Sequence, residues 1–75
     1  MTDTKKIKIN PLSVYVRSGG IAGSASKYGD VALARLETSW ARRAFALEGE
    51  PYRTHARKAW NQAYSDGYKF GRAGI

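Results

Sequence analysis

Arg53, Arg57, Asn61, Tyr64 and Tyr68 follow one another at steps of three and four residues. Such steps place side chains along one side of a helix. A guanidinium group grips phosphate or carboxylate through two parallel hydrogen bonds. A tyrosine ring beside it can stack on a base or cover apolar protein surface. The chemistry these residues suggest is recognition of an anion. A second set lies on the same stretch: His55, the sole histidine, with Lys58, Gln62 and Asp66 on the following turns. Histidine, lysine and aspartate can exchange protons in an acid–base site. Here they share one helix, with no second carboxylate or oxyanion loop opposite them, and a solvated polar face has the same spacing. The expectation is a protein that is not an enzyme. One histidine, no cysteine and scattered carboxylates give no recognised metal-ligand spacing, so neither metal nor cofactor is expected.

Further cations lie upstream. Lys5, Lys6 and Lys8 in "TKKIKIN", and Arg17 beyond them, would extend the same basic surface. Tyr15 and Phe45 are candidates for an apolar contact with a protein partner. The charge balance supports a binding reading. Thirteen Lys and Arg against six Asp and Glu give a net charge of +7 on 75 residues. Residues 1–29 carry five basic groups against Asp3, and residues 52–75 carry five against Asp66, while residues 30–51 are close to neutral. A surface of this sign favours polyanions, acidic protein faces or anionic membranes.

The elements that must position these residues fit one small domain, near the lower size limit for a self-sufficient core. Residues 5–17 alternate, with Ile7 and Ile9 on one face and, after Pro11, Leu12, Val14 and Val16 on one face. Period two with β-branched residues predicts an extended or β arm. Residues 18–29 are rich in glycine and serine and read as a loop. Gly19, Gly20 and Gly23 match neither phosphate-loop spacing. Residues 30–48 predict a helix with Asp30 as N-cap, a stop at Gly49, and a core stripe of Leu33, Leu36, Trp40, Ala44 and Leu47. Phe45 falls off that stripe. Residues 51–71 predict a second helix opened by Pro51, with Tyr52, Ala56, Ala59, Trp60, Ala63, Gly67 and Phe70 on its core face. The short "LEGEP" connection makes the two helices an antiparallel hairpin. The expected fold is therefore α+β, or mainly α: an N-terminal extended segment packed on a two-helix hairpin.

Two glycines inside the second helix, Gly67 and Gly71, cost about 1 kcal/mol each relative to alanine. With Ala59 and Ala63 they form a ridge of small residues four apart, along which another element can approach at backbone distance. Residues 63–74, "AYSDGYKFGRAG", resemble the A-x-x-x-G-Y-x-x-G helix pattern of ribosome modulation factor. Gly67, Tyr68 and Gly71 match that pattern, and the rest of the chain departs from it. The resemblance implies a small basic helical protein that binds the small ribosomal subunit.

These readings converge on a small basic, non-enzymatic protein binding nucleic acid or a nucleoprotein machine. The alternative is a small inhibitor or adaptor of the phage or mobile-element accessory type, blocking a host enzyme or nucleic-acid defence complex and docked on an acidic protein surface. Absence of a signal peptide, of cysteine and of any long apolar run predicts a cytoplasmic location and no membrane partner. Self-association is left open.

Overall fold

Pro11 opens a helix. In the computed structural model, which describes residues 11–71, the chain forms three helices and, among the described residues, no strand. Helix α1 runs Pro11–Lys27, α2 Val31–Leu47 and α3 Tyr52–Phe70. The expected extended arm is overturned over residues 11–17, and its first part, residues 5–10, lies outside the described residues. The expected Gly/Ser loop is likewise helical through Lys27.

The reason is a competing period. Proline is tolerated in the first turn of a helix, where its missing N–H has no partner to lose. From there Leu12, Tyr15, Ser18, Gly19, Ala22 and Ala25 recur at helical steps. Burying Tyr15, which is 4% exposed, decides against the alternation that would have paired Leu12, Val14 and Val16. Val14 is left largely exposed.

Glycines disfavour α1 in isolation, and packing against α3 compensates. Gly19, Gly23 and Gly67 lie where the two backbones meet. A Cβ at Gly19 would overlap the Trp60 carbonyl, one at Gly23 the Tyr64 carbonyl, and one at Gly67 the Gly20 carbonyl. The small-residue ridge expected on the last helix therefore exists, and its counterpart is the segment read as a loop. Gly71 belongs to a different device. It takes the left-handed conformation at φ 75° and ends α3, its N–H donating to the Gly67 carbonyl at 2.7 Å.

Asp30 caps α2 as the sequence predicts, Oδ1 accepting from the Leu33 N–H at 3.1 Å. The core face of α2 differs from the predicted stripe. Ala41 is 1% exposed, with Ala44 and Phe45 half-buried beside it, whereas Leu36 is 61% and Leu47 87% exposed. Of the predicted stripe, Trp40 and Ala44 do pack on the core and Leu33 is half-buried, but the buried centre has moved towards Ala41 and Phe45. Phe45, expected off the core, stacks on Tyr15 with ring centroids 5.2 Å apart and meets Trp60 edge-on at 6.5 Å. Tyr15 also lies 5.5 Å from Trp40 and 6.4 Å from Tyr52. Tyr15 is buried and so is not an exposed partner contact, while Phe45 is half-buried. Tyr15 sits in the buried core with Phe45 packed against it, because α1 as a helix delivers an aromatic ring where an extended arm would not.

The three helices do not share their contacts evenly. The α1–α3 seam is long and close, α1 also packs on α2, and α2 and α3 touch over little of their length. The expected hairpin is therefore held together by α1 rather than by contact between its own two helices.

Candidate functional site

Because α2 and α3 stand apart, a groove of about 590 Å³ opens between them. Ala41, Phe45 and Trp60 form its floor, and Thr38, Arg42, Arg53, Arg57 and Asn61 line it. Arg42 comes from α2, Arg53, Arg57 and Asn61 from α3. Thr38 and Arg42 also border a second depression, which adds Ser26, Arg35 and Ser39 and continues the polar strip along α2. No aspartate or glutamate lines either depression among the described residues.

The three arginines of the groove are not equivalent. Arg53 Nε donates to the carbonyls of Phe45 at 3.0 Å and Glu48 at 3.1 Å, and Nη2 donates to the Glu48 carbonyl at 2.8 Å. These carbonyls lie at the C-terminus of α2, where the helix leaves acceptors without intrahelical donors and the dipole favours a cation. Its Nη1 also lies 3.8 Å from Glu50 Oε2. Glu50 is held in turn by Thr54, whose hydroxyl donates at 2.8 Å and whose N–H donates at 3.1 Å to Oε1. The hydroxyl bond is the main reason the Glu50 carboxyl titrates below its ordinary value. Arg53 therefore stitches α2 to α3. Arg42 and Arg57 are exposed and, among the described residues, have no carboxylate within ion-pairing distance.

The other residues singled out in the sequence fall into separate places. Asn61 lines the groove beside Arg57. Tyr64 is half-buried, stacked on Trp60 at 5.5 Å, and its hydroxyl donates to Ser26 Oγ at 3.0 Å. It belongs to the α1–α3 seam, as does Trp60, whose Nε1 donates to the buried Ser18 Oγ at 3.0 Å. Tyr68, one turn on, is 51% exposed. Arg17 is exposed on α1 and lines a different groove, of about 420 Å³, with Val14, Ile21, Leu36 and Trp40. Lys5, Lys6 and Lys8 lie outside the described residues. In the acid–base set, Gln62 Nε2 donates to Asp66 Oδ1 at 3.1 Å, while His55 and Lys58 are exposed. Among the described residues no cluster of three or more metal-ligating side chains occurs.

Arg35 and Arg42 do not stand out in the sequence, because the charges of residues 30–51 sum to near neutral. The signal was present: Arg35, Ser39, Arg42 and Ala46 are spaced four, three and four, which is one helix face.

Comparison of the chain with protein-family models, with curated proteins and with solved structures finds no match. The packing of Gly67 against Gly20 accounts for that position of the glycine motif without reference to a family. No described helix is long and apolar enough to cross a membrane.

Proposed function

We propose that this chain is a non-enzymatic binding protein for nucleic acid or a nucleoprotein surface, and that the groove between α2 and α3 is its contact site. One observation carries the reading: Arg42 and Arg57 line one groove from opposite helices, with no carboxylate among its described lining. Guanidinium groups on both walls suit an anion between them. Thr38 and Asn61 add neutral hydrogen-bonding groups that suit phosphate oxygens.

The test is fluorescence anisotropy with a labelled oligonucleotide at several salt concentrations. Affinity is expected to fall steeply with salt by counterion release, with a log–log slope of roughly −0.7 per neutralised phosphate on a single strand and −0.9 on a duplex. The double variant Arg42→Glu/Arg57→Glu reverses the local sign and is expected to abolish binding with the helical circular dichroism intact. A wild type that binds no oligonucleotide even at low salt overturns the reading.

The second reading, an inhibitor or adaptor docked on a protein, rests on the other groove. Val14, Ile21, Leu36 and Trp40 present apolar surface between α1 and α2, flanked by Arg17, Arg43 and Glu37. Capture from source lysate that survives nuclease treatment and high salt would favour it, since an apolar component resists screening.

A further inference from the structure

The nucleic-acid reading can be narrowed to one kind of strand, and the inference here rests on that reading. We infer that the groove takes single-stranded nucleic acid, with phosphates held by Arg35, Arg42 and Arg57 and a base stacked on Tyr68.

Three observations lead there. First, the unpaired arginines line a cleft between two helices rather than the crest of one. A duplex is read by a helix that protrudes into its major groove, or by a basic surface that follows its width. A cleft with cations on both walls and an apolar floor of Phe45 and Trp60 admits one flexible backbone. Second, the cations form a path. Arg42 borders both depressions, and Arg35 lies seven residues away on α2, ~10 Å along the axis. The second depression includes Ser26, which accepts the Tyr64 hydroxyl, so this end of the path reaches α3 at Tyr64. Third, a ring with a free face stands just beyond. Tyr64, Ser65, Tyr68 and Lys69 border a shallow depression on α3. Tyr64 is fixed by Trp60 and Ser26, whereas Tyr68 is half exposed beside it, with the Lys69 cation adjacent. From Arg57 to Tyr68 is eleven residues, ~16 Å of helix, which a strand of a few nucleotides spans. Stacking on an exposed ring tolerates any base, because each has a π-face. The expected preference is therefore for single strands over duplex, with little dependence on sequence.

The experiment compares four labelled probes by anisotropy at one low salt concentration. They are an oligothymidylate of about 15 nucleotides, matching the site sizes of known single-strand binders, its duplex with oligoadenylate, an abasic strand of the same length, and a polyglutamate peptide. Wild type is expected to bind the oligothymidylate most tightly. Tyr68→Ala is expected to weaken that binding by about 5- to 100-fold and to leave the abasic strand unaffected. Tyr68→Phe, which keeps the ring, is expected to restore it to within about 3-fold. Tyr68 is exposed, so each variant should keep the wild-type melting temperature. If Tyr68→Ala binds the oligothymidylate as wild type does while Arg42→Glu/Arg57→Glu still abolishes binding, the single-strand inference fails and the groove reading stands. Tighter binding of the duplex overturns the inference in the same way. Tighter binding of polyglutamate points to an acidic protein and overturns both, as does a wild type that binds none of the nucleic-acid probes.

Discussion

Helix α3 meets its two neighbours in opposite ways. Against α1 it presents Ala63 and Gly67, and the backbones approach until a single added Cβ would overlap a carbonyl. Against α2 it presents Arg53, Arg57 and Asn61, and the helices stay apart around an open groove. One seam is closed by removing side chains, the other held open by long charged ones. The closed seam carries hydrogen bonds, the buried Trp60 to Ser18 and the part-buried Tyr64 to Ser26, which fix the register of α1 on α3. Across the open seam, among the described residues, the hydrogen bonds come from Arg53 on the end of α2, beside the edge-on contact of Phe45 and Trp60. The contrast is one of packing: the α1–α3 seam is close and holds the fold, and the α2–α3 seam leaves Arg42 and Arg57 exposed on its two walls.

The sharpest way to break this contrast is to place the same side chain in each seam. Leucine at Gly67 must push α1 away from α3, because the overlapping atom is the Gly20 backbone carbonyl and has no rotamer to yield. Overpacking typically costs 1–3 kcal/mol, and rigid backbone puts this site at or above the upper end. That is a large share of the stability of a small domain, so Gly67→Leu is expected to unfold the protein or leave it molten. Leucine at the exposed Arg57 should change stability within about ±0.5 kcal/mol. Thermal melts followed by circular dichroism compare the two. A Gly67→Leu protein melting with or above wild type would show that the close seam is not what holds the fold.

Arg53 tests the hydrogen-bonded tie across the open seam. Its side chain completes two carbonyls at the end of α2, and removing such a charge-assisted cap costs about 1–2 kcal/mol. Arg53→Ala is expected to lower the stability by that amount, about 4–16 °C in melting temperature, while Arg42→Ala leaves it unchanged. Binding should respond in the reverse order, with Arg42→Ala the more damaging. Equal effects of the two variants on both properties would erase the distinction between the stitching arginine and the ligand arginines.

How much of this was legible in the sequence depends on which force decided each element. The helices of residues 30–48 and 51–71 were readable because their caps and periods agree: Asp30, Pro51 and Gly71 mark ends that the chain keeps. Helix α1 was not readable. Its glycines and serines carry a loop's composition, and only the matching small face on α3 makes them helical. The ridge on α3 was visible, but a ridge alone does not say what approaches it. The core face of α2 was legible only in part. Its strongest apolar stripe includes Leu36 and Leu47, which stay outside, while Trp40 and Ala44 of the same stripe join Ala41 and Phe45 on the core. Half of the groove was legible, the α3 half with Arg57 and Asn61. The α2 half, Arg42 and Arg35, depended on where that face lies. Tyr64 and Tyr68 looked equivalent in the sequence. Ser26, on the helix that was missed, takes one of them into the closed seam.

The smallest expected effect concerns Tyr15, which links α1 to the end of α2 where the open seam begins. Its hydroxyl donates to Glu48 Oε2 at 2.8 Å, and its ring is surrounded by Trp40, Phe45 and Tyr52. Burial, and then the hydrogen bond and charge of Glu48, push its pKa up to about 12 from an ordinary value of 10.0. Burial also raises that of Tyr52. The folded protein thus holds the Tyr15 proton more tightly than the unfolded chain does. This contribution to stability is complete below pH 10 and is lost as pH rises from 10 towards 12, through the range in which the unfolded chain ionises first. Urea melts between pH 8 and pH 11 should therefore show falling stability on the alkaline side. In Tyr15→Phe that fall should flatten, leaving the part due to Tyr52, although the variant starts from a lower value at pH 8 for want of the Glu48 bond. An alkaline slope identical in Tyr15→Phe and wild type would place the titrating group elsewhere and remove Tyr15 as the buried tie between α1 and α2. A slope that flattens, in a variant whose oligonucleotide affinity at pH 8 is unchanged, would show that the tie stabilises the core and takes no part in the groove.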